Sequence, residues 1–182
     1  MNETAVGCRL PERAYHILFI GFMGSGKTTV SRLLGEMLSR HVIDVDKLIS
    51  RRCGMSIPEI FEAFGEEGFR ARETSALESL LLEVPYIVSC GGGVCGRPEN
   101  RALLARLGTV VYLQVGADEA VRRITHPETR PMLSGDVSPA ELLASRLEDY
   151  ESCAQVTVDT AGKTPDEVCE EVAAALWDIG AC

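Results

Sequence analysis

Residues 15–29 read Y-H-I-L-F-I-G-F-M-G-S-G-K-T-T. Tyr15–Ile20 is a short apolar run, mostly continuous, as in a strand buried on both faces of a parallel sheet. It runs straight into Gly21-Phe22-Met23-Gly24-Ser25-Gly26-Lys27-Thr28, and Lys27–Leu38 then follows a helical pattern. The eight positions match G-x-x-x-x-G-K-[ST] in the strand–loop–helix setting that the motif requires. Phosphate chemistry explains the residue types. Gly21, Gly24 and Gly26 let the backbone wrap closely around phosphate oxygens. Free N–H groups and the positive dipole end at the helix start favour an anion. Lys27 reaches β- and γ-phosphates, and the Thr28 hydroxyl is available to Mg²⁺. Gly24, Ser25, Gly26, Lys27, Thr28 and Thr29 therefore form a candidate ATP site. The alternative is a tight glycine turn that holds no nucleotide.

Outward from this loop, apolar runs alternate with helical stretches. The runs are Tyr15–Ile20, Val42–Val45, Tyr86–Cys90, Thr109–Val115 and Val156–Val158. The helical stretches are Lys27–Leu38, Ser56–Leu82, Glu99–Leu107, Asp118–Ile124, Ser138–Ser152 and Thr164–Trp177. Such alternation predicts an α/β fold, a parallel sheet with helices on both faces. Residues 1–182 are expected to form a single domain, with 1–14 as a flexible tail. Residues 125–137, T-H-P-E-T-R-P-M-L-S-G-D-V, lack periodicity and read either as a plain surface loop or as a mobile lid carrying Arg130.

A net charge of −9 makes nucleic acid and anionic lipid poor partners, so an anionic substrate needs a local cationic pocket. No apolar run approaches the ~20 residues of a membrane span. The start of the chain lacks a secretory apolar stretch, and a cytoplasmic protein, working as a monomer, is expected. The seven cysteines show no C-x-x-C pair and read as reduced thiols.

Asp44 and Asp46 end the second run, and strand alternation would put both carboxylates on one side at its carboxyl edge. One suits the Mg²⁺ shell and the other a substrate hydroxyl; otherwise Asp46 caps the next helix. Arg70 and Glu73 share a helix face, either as a surface ion pair or as a guanidinium fork held for a carboxylate. Gly91, Gly92 and Gly93 follow the third run, as a flexible turn or as a place where backbone meets ligand. No acidic residue ends that run, which leaves the metal carboxylate to Asp44, with Ser89 as a polar neighbour. Arg146 and Tyr150 are four apart on a helix.

Together these motifs resemble the shikimate kinase family over about Ile17 to Trp177: G-F-M-G-S-G-K-T, D-V-D, G-E-E-G-F-R-A-R-E, G-G-G, R-P-M-L and R-L-E-D-Y-E-S-C-A. The resemblance implies a three-layer, nucleoside-monophosphate-kinase-like fold with a five-stranded parallel sheet and a mobile lid. It implies transfer of the ATP γ-phosphate to the 3-hydroxyl of shikimate. By the same resemblance Asp46 would bind the ring hydroxyls and help deprotonate the attacking one. Arg70 and Arg146 would hold the carboxylate, and Gly91, Gly92 and Gly93 would line the substrate site. Lys27 and Arg130 would stabilise the transferring phosphoryl group. Thr28 would bind Mg²⁺ directly and Asp44 through water. Adenine would lie between Arg123 and the turn at Pro165. Two rivals stand beside this reading. A gluconate kinase also acts on a hydroxylated carboxylate, and a nucleotide-dependent switch would need the loop but not Asp46 and Arg70.

Overall fold

β1 (His16–Ile20) is fully buried and central in a sheet of order β2-β3-β1-β4-β5, all pairs parallel. The other strands are β2 (Val42–Asp44), β3 (Ile87–Ser89), β4 (Gly108–Gln114) and β5 (Val156–Asp159). The structure, a computed structural model, describes residues 15–124 and 138–181. Segment 125–137, with Arg130, and residues 1–14 therefore lie outside the described residues.

Eight helices accompany the strands among the described residues: α1 (Lys27–Leu38), α2 (Val45–Cys53), α3 (Ile57–Ser79), α4 (Pro98–Leu107), α5 (Ala117–Arg123), α6 (Pro139–Ala144), α7 (Leu147–Cys153) and α8 (Pro165–Asp178). Strand side chains alternate between two cores. Leu18, Ile20, Val88, Val110 and Tyr112 face α2, α3, α4 and α7. Ile17, Phe19, Ile87, Val111, Leu113 and Val158 face α1 and α8. The result is the three-layer sandwich expected from the continuous apolar runs. Among the described residues no helix is long and apolar enough to cross a membrane.

Three boundaries differ from the sequence reading. The second strand stops at Asp44, whose side chain caps α2 by accepting the Lys47 N–H at 3.1 Å. Asp46 therefore lies in the first turn of α2, so strand alternation does not set its place relative to Asp44. Once Asp44 satisfies an N-terminal donor, the helix outcompetes a longer strand. The stretch expected as one helix from Ser56 contains a break at Gly65 (φ 66°, ψ −177°) and ends in a 3₁₀ turn, Leu80–Leu82. The expected helix from Ser138 to Ser152 divides into α6 and α7, and Arg146 sits at the join.

His16 is structural. Its Nε2–H donates to the Leu80 carbonyl at 2.9 Å and its Nδ1 accepts the Tyr86 N–H at 2.9 Å. One buried imidazole thus ties β1 to the connection between α3 and β3.

Candidate active site

The carboxyl ends of β1, β2 and β3 converge on one cavity of about 780 Å³. In open parallel sheets this is where ligands bind. The loop from β1 to α1 forms one wall. Gly24 (φ 76°) and Gly26 (φ 92°) adopt left-handed backbone, and a Cβ at Gly24 would overlap the Ala120 carbonyl of α5. Close packing on α5 therefore fixes the loop as well as its φ angles. Lys27 is buried and curls back over the loop. Its ammonium donates to the carbonyls of Gly21 at 2.9 Å and Phe22 at 2.8 Å.

The first turn of α1 meets β2 and β3 through hydroxyls and a carboxylate. Thr28 Oγ1 donates to Asp44 Oδ2 at 3.2 Å and lies 3.3 Å from Ser89 Oγ. These three hard oxygens border the cavity beside the phosphate loop and fit a hard divalent cation, which prefers oxygen ligands. Asp46, Cys90, Gly91 and Gly92 line the cavity further on, and Arg123, Lys163, Pro165 and Val168 line its opposite end.

Beyond the glycine floor lies a cluster of charge. Arg70 Nη1 donates to Glu73 Oε2 at 2.9 Å, and its Nη2 to Glu66 Oε1 at 3.2 Å. Glu73 is fully buried and also accepts from Asn100 Nδ2 at 3.4 Å. Its Oε1 has no hydrogen-bond partner. Burial pushes the Glu73 carboxyl up to about 7 against the opposing pull of Arg70. The glycines make room for this cluster. A Cβ at Gly91 would sit 2.9 Å from Glu73 Oε1 and 3.0 Å from Asp46 Oδ1, and one at Gly93 would overlap the Arg70 guanidinium. Arg146 Nη1 donates to the Gly92 carbonyl at 3.1 Å, and the Tyr150 hydroxyl donates to the same oxygen.

Thus Asp46, Gly91, Gly92, Gly93, Arg70 and Arg146 come together, although they derive from α2, the loop after β3, α3 and the start of α7. Arg70 and Arg146 stand behind the glycines rather than in the wall of the cavity. Arg123 and Pro165 share the far end of the same cavity. The Arg123 guanidinium is held by the Thr160 hydroxyl at 2.9 Å, the Thr160 carbonyl at 2.7 Å and Glu119 at 2.5 Å. Sequence reasoning missed Glu66, Glu119, Asn100 and Thr160. The first two were open to discovery, since each stands four residues before its arginine on one helix. Asn100 and Thr160 arrive by tertiary packing and leave no local signal.

A five-stranded parallel sheet, with a phosphate loop leaving its central strand and one cavity joining that loop to a carboxylate, defines a P-loop kinase of the nucleoside-monophosphate-kinase type. Comparison with known proteins narrows the class. A family model described as shikimate kinase matches residues 23–177. A shikimate kinase from Nitrosospira multiformis is 40% identical over 164 residues, covering 88% of this chain and 84% of that one. The chain belongs to the shikimate kinase family. Among solved structures, a shikimate kinase from Acinetobacter baumannii in complex with shikimate has a TM-score of 0.84 at 33% identity, over 90% of this chain and 93% of that one. A gluconokinase from Sinorhizobium meliloti, with a TM-score of 0.60 at 21% identity over 91% of this chain and 93% of that one, shares the fold alone.

Proposed function

We propose that this chain transfers the γ-phosphoryl group of ATP to the 3-hydroxyl of shikimate. The observation that carries the reading is the single cavity that joins the phosphate loop to Asp46 and the glycine floor, with two guanidinium groups directly behind that floor. Shikimate is a small carboxylate bearing hydroxyls, and this end of the cavity offers the complementary groups. Arg70 and Arg146 engage the carboxylate, and a fork that Glu73 and Glu66 already orient loses little freedom on binding. Asp46 accepts hydrogen bonds from the ring hydroxyls and takes the proton of the attacking one. Gly91, Gly92 and Gly93 admit the ring close to the backbone.

At the other end Gly24, Ser25, Gly26, Thr28 and Thr29 cradle the phosphates of ATP, and adenine lies between Arg123 and Pro165. Lys27 leaves the carbonyls of Gly21 and Phe22 to face the β- and γ-phosphates, exchanging neutral acceptors for charged ones. Arg130, outside the described residues, is proposed to share in that role on the strength of the resemblance. Thr28 directly, and Asp44 through water, would hold Mg²⁺. Bound there, the cation would supply charge neutralisation for the phosphates. The acidic chain, with its net charge of −9, is proposed to work as a cytoplasmic monomer on small molecules, without polyanionic partners.

A coupled assay of ADP release tests the reading. Release should depend on shikimate and exceed that with gluconate or neutral polyols by at least about 100-fold. Equal rates with gluconate, or ADP release indifferent to any acceptor, would overturn it.

A further inference from the structure

We propose that Asn100 and Thr74 are positioning residues for the substrate carboxylate, through a hydrogen-bond circuit that fixes the Arg70 guanidinium. Asn100 breaks the pattern of α4. Asn100, Leu103, Leu104 and Leu107 are the buried residues of that helix, and their i, i+3, i+4, i+7 spacing puts them on one face. Leucine suits every position of such a stripe, yet the first is an amide with no exposed surface. Burying an amide costs free energy unless its polar atoms find partners. Asn100 finds them on α3. Thr74 Oγ1 donates to Asn100 Oδ1 at 2.7 Å, and Asn100 Nδ2 donates to Glu73 Oε2 at 3.4 Å.

Both contacts lead to Arg70. Glu73 Oε2 also accepts Arg70 Nη1 at 2.9 Å, so Asn100 and Arg70 meet at one carboxylate oxygen. The Thr74 hydroxyl proton is shared with the Arg70 carbonyl, 3.0 Å away and one helical turn earlier. The circuit thus runs from the Arg70 backbone through Thr74, Asn100 and Glu73 back to the Arg70 guanidinium. Asn100 is its one member from outside α3. Glu73 Oε1 has no hydrogen-bond partner, so the hold on this carboxylate is through Oε2. With Arg70 as its sole donor, the carboxylate would rotate about its last side-chain bond and carry the guanidinium with it. A second donor, on a different helix, pins Oε2 and so sets where Nη1 lies. Glu66, the other acidic partner of the guanidinium, is largely exposed and restrains it less.

The consequence for binding rests on the proposed function. A guanidinium already fixed loses little freedom when it grips a carboxylate; released, it must be ordered at the moment of binding. That cost falls on shikimate affinity and not on phosphoryl transfer, because neither Thr74 nor Asn100 lines the cavity. A merely structural Asn100 would alter stability and leave KM alone.

Initial-rate kinetics on the full-length chain test the circuit. Asn100→Leu, which completes the apolar stripe, should raise shikimate KM at least about fivefold, with kcat and ATP KM within about twofold of wild type. Thr74→Val, close to threonine in shape, should act in the same direction, and Thr74→Ser, which keeps the hydroxyl, should match wild type within about twofold. In an Arg70→Lys background Asn100→Leu should add less than about twofold, because the circuit acts through the guanidinium. Circular dichroism checks folding, and should Asn100→Leu not fold, Thr74→Val against Thr74→Ser decides. An unchanged shikimate KM in folded Asn100→Leu or in Thr74→Val, a Thr74→Ser variant as impaired as Thr74→Val, a fall in kcat in place of the rise in KM, or an equal effect without the Arg70 guanidinium would each overturn the proposal. If wild type shows no shikimate-dependent turnover, the proposed function fails instead. The circuit is then judged by NMR: solvent exchange of the Arg70 guanidinium protons must quicken in Thr74→Val, and unchanged exchange overturns it.

Discussion

Gly93→Ala adds one methyl group where the substrate carboxylate is proposed to be gripped. The backbone at Gly93 (φ −109°, ψ 8°) is open to alanine, so the change acts through its neighbour and not through strain. An ideal Cβ there stands 2.6 Å from the Arg70 guanidinium carbon. Ordinary carbon contacts need ~3.5 Å, so the group must retreat by about 1 Å. Glu73 at 2.9 Å and Glu66 at 3.2 Å hold it on the other sides, and a retreat of that size also disturbs the Arg70–Glu73 pair. A hydrogen bond to a charged partner contributes ~1.5–3 kcal/mol, and Arg146 remains to hold part of the carboxylate. Shikimate KM should therefore rise roughly 10–100-fold. ATP KM should stay within about twofold, because the phosphate loop is untouched. An initial-rate matrix over both substrates reads this directly, with circular dichroism to check folding. Gly96→Ala is the matched control, since nothing lies within 4 Å of its Cβ position. A shikimate KM within about threefold of wild type, or an equal rise in ATP KM, would refute the placement of Arg70 at the carboxylate.

Lys27→Ala should reduce kcat at least about 100-fold with the fold intact, and residual activity within about tenfold of wild type would contradict the role of the ammonium. Asp46→Asn should leave ATP affinity unchanged while kcat falls by about 100-fold or more; equal loss of both, by calorimetry and turnover, would assign Asp46 to folding or metal binding instead. Glu73 titrates near 7 in the folded chain against an ordinary value of 4.5, so its stabilising contribution is full below 4.5 and is lost as pH rises through about 7. Denaturant unfolding across that window should show stability falling with pH in the wild type and a flatter profile in Glu73→Gln; parallel profiles would show that the buried carboxyl does not carry the dependence.

The sequence by itself determined the sheet and the phosphate loop, for local reasons. Buried parallel strands must be continuously apolar, so β1 and β4 were visible as runs. The loop was visible because backbone wrapped around phosphate demands glycine at fixed spacing, with lysine and threonine at the helix start. Asp46, Arg70 and Arg146 were legible as residues, but not the geometry that joins them. Asp46 reaches the site because Asp44 caps α2 and ends the strand, a competition decided by one side-chain hydrogen bond. Arg146 reaches it because the chain breaks between α6 and α7, where a local reading continued one helix. Tertiary structure alone decided that Glu73 is buried beside Asp46 and that Asn100 and Thr160 support the site. Each of these depends on elements far apart in the chain packing face to face. Periodicity records which side of an element is apolar, and not which residue of another element it will meet.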